Sequence, residues 1–100
     1  MDIENSIKNG KIVVVKIGAK WCGPCQSDEL INKYNKLVND FDKVIFYELD
    51  VNKNEDLMSN ELFKTTSIPN FKLFKSGEKK LDVVGIHGLT TIEETLKLNI

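Results

Sequence analysis

The chain has 100 residues, enough for one domain that buries roughly two-thirds of its unfolded surface. With 41% hydrophobic and 29% charged residues, six Gly and two Pro, its composition excludes collagen, coiled coil and disorder. The net charge is −1 and every basic residue is Lys, so nothing draws the chain to nucleic acid or an anionic membrane, and no guanidinium offers bidentate phosphate contacts.

The opening residues, MDIENSIKNGK, lack the apolar stretch of a signal sequence. The longest apolar run, Ile12 to Val15, is far too short to cross a bilayer. The expectation is a cytoplasmic protein in a reducing compartment. There, two Cys separated by two residues indicate reactivity or metal binding more than a structural staple.

In chain order, Ile3 and Ile7 share one face of a short helix over Ile3 to Asn9, which Asn9-Gly10 ends. Ile12 to Ile17 is β-branched and nearly continuously apolar, the pattern of a strand buried on both faces. Leu30, Ile31, Tyr34, Leu37 and Val38 recur at helical spacing and predict a helix from about Cys22 to Asn39. Val44 to Leu49 reads as a second buried strand, completing a βαβ unit with parallel strands and a right-handed crossover. Asn54 to Lys64 reads as a helix carrying Leu57, Met58, Leu62 and Phe63. Phe71 to Lys75 and Leu81 to Val84 are strands joined across Ser76-Gly77-Glu78. Thr90-Thr91-Ile92-Glu93 fits a capping box, with Thr90 as N-cap of a last helix to about Asn99. The order α-β-α-β-α-β-β-α predicts an α/β fold: one mixed four-stranded sheet with helices on both faces, in a single domain over residues 1–100.

Chemistry concentrates in Trp21-Cys22-Gly23-Pro24-Cys25, between a buried strand and an amphipathic helix. At a helix N-terminus, free backbone N–H groups and the helix dipole favour an anion, which lowers the Cys22 pKa and makes its thiolate the nucleophile. Gly23 keeps the approach to the sulfur open, and Pro24 fits a first turn that does not need its N–H. Two intervening residues bring Cys25 within disulfide reach, as the resolving thiol. A Cys-x-x-Cys is also half a zinc site, but such sites need four ligands and the one other candidate is His87. Inert buried cysteines are a further alternative, which the placement of Trp-Cys-Gly-Pro-Cys between strand and helix disfavours. His87 beside two glycines reads as a loop residue, and Asp28 and Glu29 as a solvated face.

At these residues the sequence resembles the thioredoxin family, whose hallmark is WCGPC at a strand-to-helix junction. The resemblance runs from Ile12 to Ile100. It includes Ile68-Pro69 at the family's cis-proline site, Phe74-Lys75-Ser76-Gly77-Glu78 at its hairpin, and Val84-Gly85 at its later loop glycine. It implies a thioredoxin-like fold and reduction of protein disulfides through a mixed disulfide. It also implies no cofactor beyond the redox-active Cys22–Cys25 disulfide, no metal, and recycling by a reductase of the thioredoxin-reductase type. The substrate groove it implies comprises Trp21, Gly23, Pro24, Ile68, Pro69, Gly85 and Ile86. The protein is expected to act as a monomer on disulfide-containing proteins. The rival reading is a binding or scaffold subunit whose dithiol is not essential, which fold alone does not exclude.

The sequence departs from the family in four places. No residues are available for the strand that usually precedes the first helix. Leu30 stands where the active-site helix usually has a proline, removing the cause of its kink, and Asn70 stands where Thr follows the cis-proline. Lys16 occupies the site of the buried acid six residues before the first Cys, and Glu48 that of its partner lysine, so the pair is exchanged in sign. On adjacent parallel strands Lys16 and Glu48 can meet beneath Cys25 as a proton-transfer pair, or both can reach outward to solvent.

Overall fold

Val13, Val14, Val15 and Ile17 are fully buried and make one strand the axis of the sheet in the computed structural model, which describes residues 2–99. Met1 and Ile100, the ends of the expected domain, lie outside the described residues. The elements in chain order are α1 (Asp2–Lys8), β1 (Val13–Gly18), a 3-10 turn (Pro24–Gln26), α2 (Asp28–Asp40), β2 (Ile45–Asp50), α3 (Glu55–Met58), β3 (Asn70–Lys75), β4 (Glu78–Val84) and α4 (Gly85–Asn99). The sheet order is β2-β1-β3-β4, with β1 parallel to β2 and antiparallel to β3, and β3 antiparallel to β4. Among the described residues no strand precedes α1.

Alternation along β1 divides the core. Val13, Val15 and Ile17 pack with Ile3 and Ile7 of α1, Leu57 of α3, Phe63 and Phe74. Val14, with Phe71 and Leu73 of β3, packs against Leu30, Tyr34 and Leu37 of α2 and Leu89, Ile92 and Leu96 of α4. Each fully buried aliphatic or aromatic side chain contributes about 1.5–3 kcal/mol.

Several expectations are corrected. The helix predicted from Cys22 is interrupted: after the 3-10 turn, Ser27 is extended (φ −65°, ψ 139°), and α2 starts at Asp28. Ser27 caps α2, its hydroxyl accepting the Leu30 N–H at 3.2 Å. The strand beginning near Val44 is a sheet edge and only partly buried. The helix predicted over Asn54 to Lys64 shrinks to α3. Asn60 ends it by a different route, its carbonyl accepting the Phe63 and Lys64 N–H groups at 3.0 Å and its side chain the Leu62 N–H at 2.9 Å. The last strand starts earlier than Leu81, because Ser76 and Gly77 both adopt positive φ (56° and 82°), a two-residue turn matched to strand twist. Thr90 does not cap a helix. It lies inside α4, which begins at Gly85, and its hydroxyl pairs with the Lys33 ammonium. His87, expected in a loop, is an exposed residue of α4.

One polar cluster crosses the outer sheet. Lys72 is fully buried and is the cross-strand neighbour of Asp82. Its Nζ donates to Asp82 Oδ2 at 2.9 Å and to the Lys64 carbonyl at 3.0 Å. Lys79 Nζ also donates to Oδ2, at 2.8 Å, and the Asn70 amide donates to Oδ1 at 2.7 Å. Partial burial pushes the Asp82 carboxyl up, but hydrogen bonds from Lys79, Asn70 and Lys72 outweigh it and bring the pKa down from 3.8 to about 2.

Ser27→Ala removes the α2 cap and is expected to cost about 1 kcal/mol, measured by urea denaturation. Because the folded pKa of Asp82 is depressed, the stability it supplies is full above about pH 4 and is lost as pH falls through about 2. Asp82→Asn is therefore expected to lower stability at neutral pH and flatten the acid limb of the stability–pH curve. An acid limb identical to wild type would assign that titration to other carboxylates.

Candidate active site

The site is built where β1 stops. The Val51 N–H, just beyond β2, donates to the Gly18 carbonyl at 2.9 Å and ties the ends of the two strands together. A Cβ at Gly18 would lie 3.1 Å from the Cys25 sulfur and 3.3 Å from its Cβ. Glycine there lets the cysteine pack directly on the strand end. The Ala19 carbonyl then accepts the Cys22 N–H at 3.2 Å and the Gln26 side-chain amide at 2.9 Å, closing the turn at both ends.

Cys22 and Cys25 form a disulfide, with Cα atoms 5.3 Å apart. Both are buried, 6% and 3% exposed, so the two sulfurs differ little in exposure. The Cys25 N–H points at Cys22 Sγ at 3.3 Å. The first sulfur thus sits at the start of the 3-10 turn rather than at the N-terminus of α2, where the Ser27 hydroxyl takes the Leu30 N–H.

Beside the disulfide, Trp21 is 69% exposed and its indole N–H is fixed by Asn52 Oδ1 at 2.8 Å. The Ile68–Pro69 bond is cis. Trp21, Val51, Met58, Thr66 and Ile68 bound a groove of about 380 Å³. Ala19 and both cysteines pack against Val51 and Ile68. Of the remaining expected groove residues, Gly23 and Pro24 are exposed on the turn. Gly85 donates its N–H to the Pro69 carbonyl at 2.8 Å, and Ile86 packs against the core beneath α2 and α4.

Lys16 and Glu48 are register partners on β1 and β2, with Nζ 3.2 Å from Oε1. The outcome lies between the two expectations: the Lys16 side chain is 10% exposed and that of Glu48 66%. Lys16 Nζ also lies 5.3 Å from the centre of the Tyr34 ring. Burial, and secondarily the Glu48 charge, push the Tyr34 phenol far up, and its hydroxyl donates to the Tyr47 carbonyl at 2.9 Å. Lys16, Glu48, Cys25, Asn35 and Asp50 line one cleft of about 520 Å³. The Cys25 side of the disulfide therefore shares a solvent-reaching space with the ion pair.

Sequence reasoning missed Gly18, Ser27, Val51 and Asn52. A glycine ending a buried strand four residues before a Cys, and Ser-Asp-Glu-Leu as a capping sequence, were readable signals for the first two. The indole bond to Asn52 depends on the β2 crossover and has no local signal. Among the described residues no three His, Cys, Asp or Glu side chains gather to hold a metal ion, and no helix is long and apolar enough to cross a membrane.

Comparison with known proteins places this geometry in a family. The family model for thioredoxin matches residues 2–98. The thioredoxin of Geodia cydonium is 35% identical over 100 residues, covering 98% of this chain and 91% of that protein. The thioredoxin of Gallus gallus is 33% identical over 98 residues, covering 96% and 89%. Oxidised mitochondrial thioredoxin 3 of Saccharomyces cerevisiae superposes with a TM-score of 0.81 at 28% identity, covering 96% of this chain and 86% of that one. Thioredoxins exchange their own disulfide with those of their substrates, without a further cofactor, and are recycled by thioredoxin reductase. Matched in sequence, fold and cysteine pair, the chain belongs to the thioredoxin family and is a thiol–disulfide oxidoreductase.

Proposed function

We propose that this protein works in the reducing direction on protein disulfides, with Cys22 as nucleophile and Cys25 as resolving thiol. The Cys22 thiolate attacks one sulfur of a substrate disulfide, bonds to it and expels the other as a thiolate. The Cys25 thiolate then attacks the Cys22 sulfur. The second substrate thiolate leaves, the Cys22–Cys25 disulfide re-forms, and two electrons have passed to the substrate. The observation that carries this reading is the Cys25 N–H aimed at Cys22 Sγ at 3.3 Å, a donor that favours negative charge on that sulfur. The substrate chain lies along Trp21 and Ile68, past the open turn of Gly23 and Pro24. Pro69, Gly85 and Ile86 support the groove from behind. A reductase of the thioredoxin-reductase type returns the dithiol. The protein acts as a cytoplasmic monomer of one domain, carrying electrons to its substrates.

Lys16 and Glu48 serve the resolving step. An ammonium in the cleft shared with Cys25 favours the Cys25 thiolate, and the solvated Glu48 carboxylate passes the proton out. A stabilised thiolate also stabilises the reduced protein, making it more oxidising than its Gly-Pro insert alone implies.

Insulin reduction by the wild-type protein with a dithiol reductant tests the function. Cys22→Ser is expected to abolish turnover, and Cys25→Ser to accumulate the mixed disulfide. If alkylation at neutral pH labels Cys25 before Cys22, the roles are reversed. Lys16→Met is expected to move the pH midpoint of the resolving step upward. The potential should become more negative, by about 30 mV for a tenfold change in thiolate stability. If Lys16→Met and Glu48→Gln leave both the pH profile and the potential unchanged, the pair has no part in the exchange.

A further inference from the structure

The loop between α3 and β3 carries Ile68 to the disulfide, yet little in its own backbone holds it. Among the described residues, positions 65–68 make no backbone–backbone hydrogen bonds outside regular elements. The ties come instead from the sheet below. Lys72, on a central strand, sends its ammonium to the Lys64 carbonyl at 3.0 Å. The Asn70 side-chain oxygen lies 3.2 Å from the Thr65 hydroxyl, whose single proton is shared with the Phe63 carbonyl at 3.1 Å. Asp82 locks both anchors, accepting Lys72 on one oxygen and Asn70 on the other, while the Asn70 amide also reaches the Val83 carbonyl at 3.2 Å.

A lysine with no solvent exposure is costly to bury, and a well-packed apolar residue would serve stability as well or better. Here its head group meets a carboxylate and a loop carbonyl. The network spans β3, β4 and the start of the loop, and Gly85, the first residue of α4, holds the loop's far end through Pro69.

We propose that Lys72, Asp82 and Asn70 are positioning residues that hold the Thr65–Pro69 loop, and with it Ile68, at the height beside Cys22 that an extended protein substrate requires. This rests on the reading of that loop as one wall of the substrate groove. A small disulfide needs only the Cys22 sulfur, whereas a protein disulfide needs the wall as well. Loosening the loop must therefore separate the two classes of substrate.

The test mixes fully reduced protein with oxidised insulin or with a small aromatic disulfide and follows the fluorescence of the single tryptophan, Trp21, in stopped flow. In Lys72→Met, which keeps volume and removes the buried charge, the second-order rate constant for insulin is expected to fall about fivefold, the equivalent of one net hydrogen bond. The rate constant for the small disulfide is expected to stay within about twofold of wild type, a change too small to signal the loss of one such bond. Asn70→Ala, which cuts the second tie without leaving a buried charge unpaired, is expected to behave alike. Thermal melts identify any variant that fails to fold, and the other then decides. Equal losses on both substrates, or no loss on either, would overturn the proposal. A wild-type protein that reacted with the small disulfide but not with insulin would overturn the groove reading itself, and the anchor with it.

Discussion

Everything at the active site depends on where β1 ends. That strand is paired along both edges and covered on both faces, so its last residues have almost no freedom. Gly18 at its tip is the surface on which Cys25 rests. Because Val51 is bonded to Gly18, the segment bearing Asn52 is fixed relative to the cysteines, and Asn52 in turn fixes the Trp21 indole. A tight turn with few residues of its own is thereby held by the end of the sheet on which it rests. Groups that must meet a reacting sulfur within fractions of an ångström are best hung on such a scaffold.

The sheet also buries charge in a repeated pattern. Lys16 lies on an inner strand opposite Glu48 of the edge strand β2, and Lys72 on the other inner strand opposite Asp82 of the edge strand β4. In both pairs the ammonium is inside and the carboxylate reaches solvent. The acid keeps part of its hydration, so only one ion of each pair bears most of the desolvation cost, and the partner still meets it within 3.2 Å. The two lysines project from opposite faces. Lys16 lies on the α2 side over Tyr34, and Lys72 lies under the loop that follows α3. The same device places one ammonium in the cleft shared with Cys25 and the other on the Lys64 carbonyl, at the start of the loop that carries Ile68.

The features legible in the sequence were those written in consecutive residues. The apolar run of β1 gave the central strand, WCGPC the reactive turn, and Ile68-Pro69 its neighbour across the groove. The resemblance singled out Lys16 and Glu48, and adjacent parallel strands allowed them to meet without deciding between a meeting and two solvent-reaching side chains. Periodicity misled at element ends. Apolar spacing continues smoothly from Leu30 to Val38 and carries no mark of the extended Ser27 that precedes it. Leu62 and Phe63 keep helical spacing with Leu57 and Met58, although Asn60 turns the chain away between them. The Thr90 capping signal was locally valid, but α4 was already under way from Gly85, and the hydroxyl was better used by Lys33 across the helix pair. Lys72 was invisible for another reason: a lysine within a strand normally marks a solvent-facing position, and only the covering loop makes this one internal.

The exchange of sign at Lys16 and Glu48 has a chemical consequence that a simple swap of partners would not suggest. A buried acid beside a resolving thiol acts by changing its own protonation state, so its usefulness varies with pH around neutrality. An ammonium in the cleft shared with Cys25 acts instead through its field, which favours negative charge on the sulfur. The proposed scheme leaves proton removal to water or to a carboxylate in contact with water, and Glu48, with its side chain 66% exposed, lines the same cleft. In the proposed scheme, stabilising the anion and accepting the proton fall to two residues rather than one.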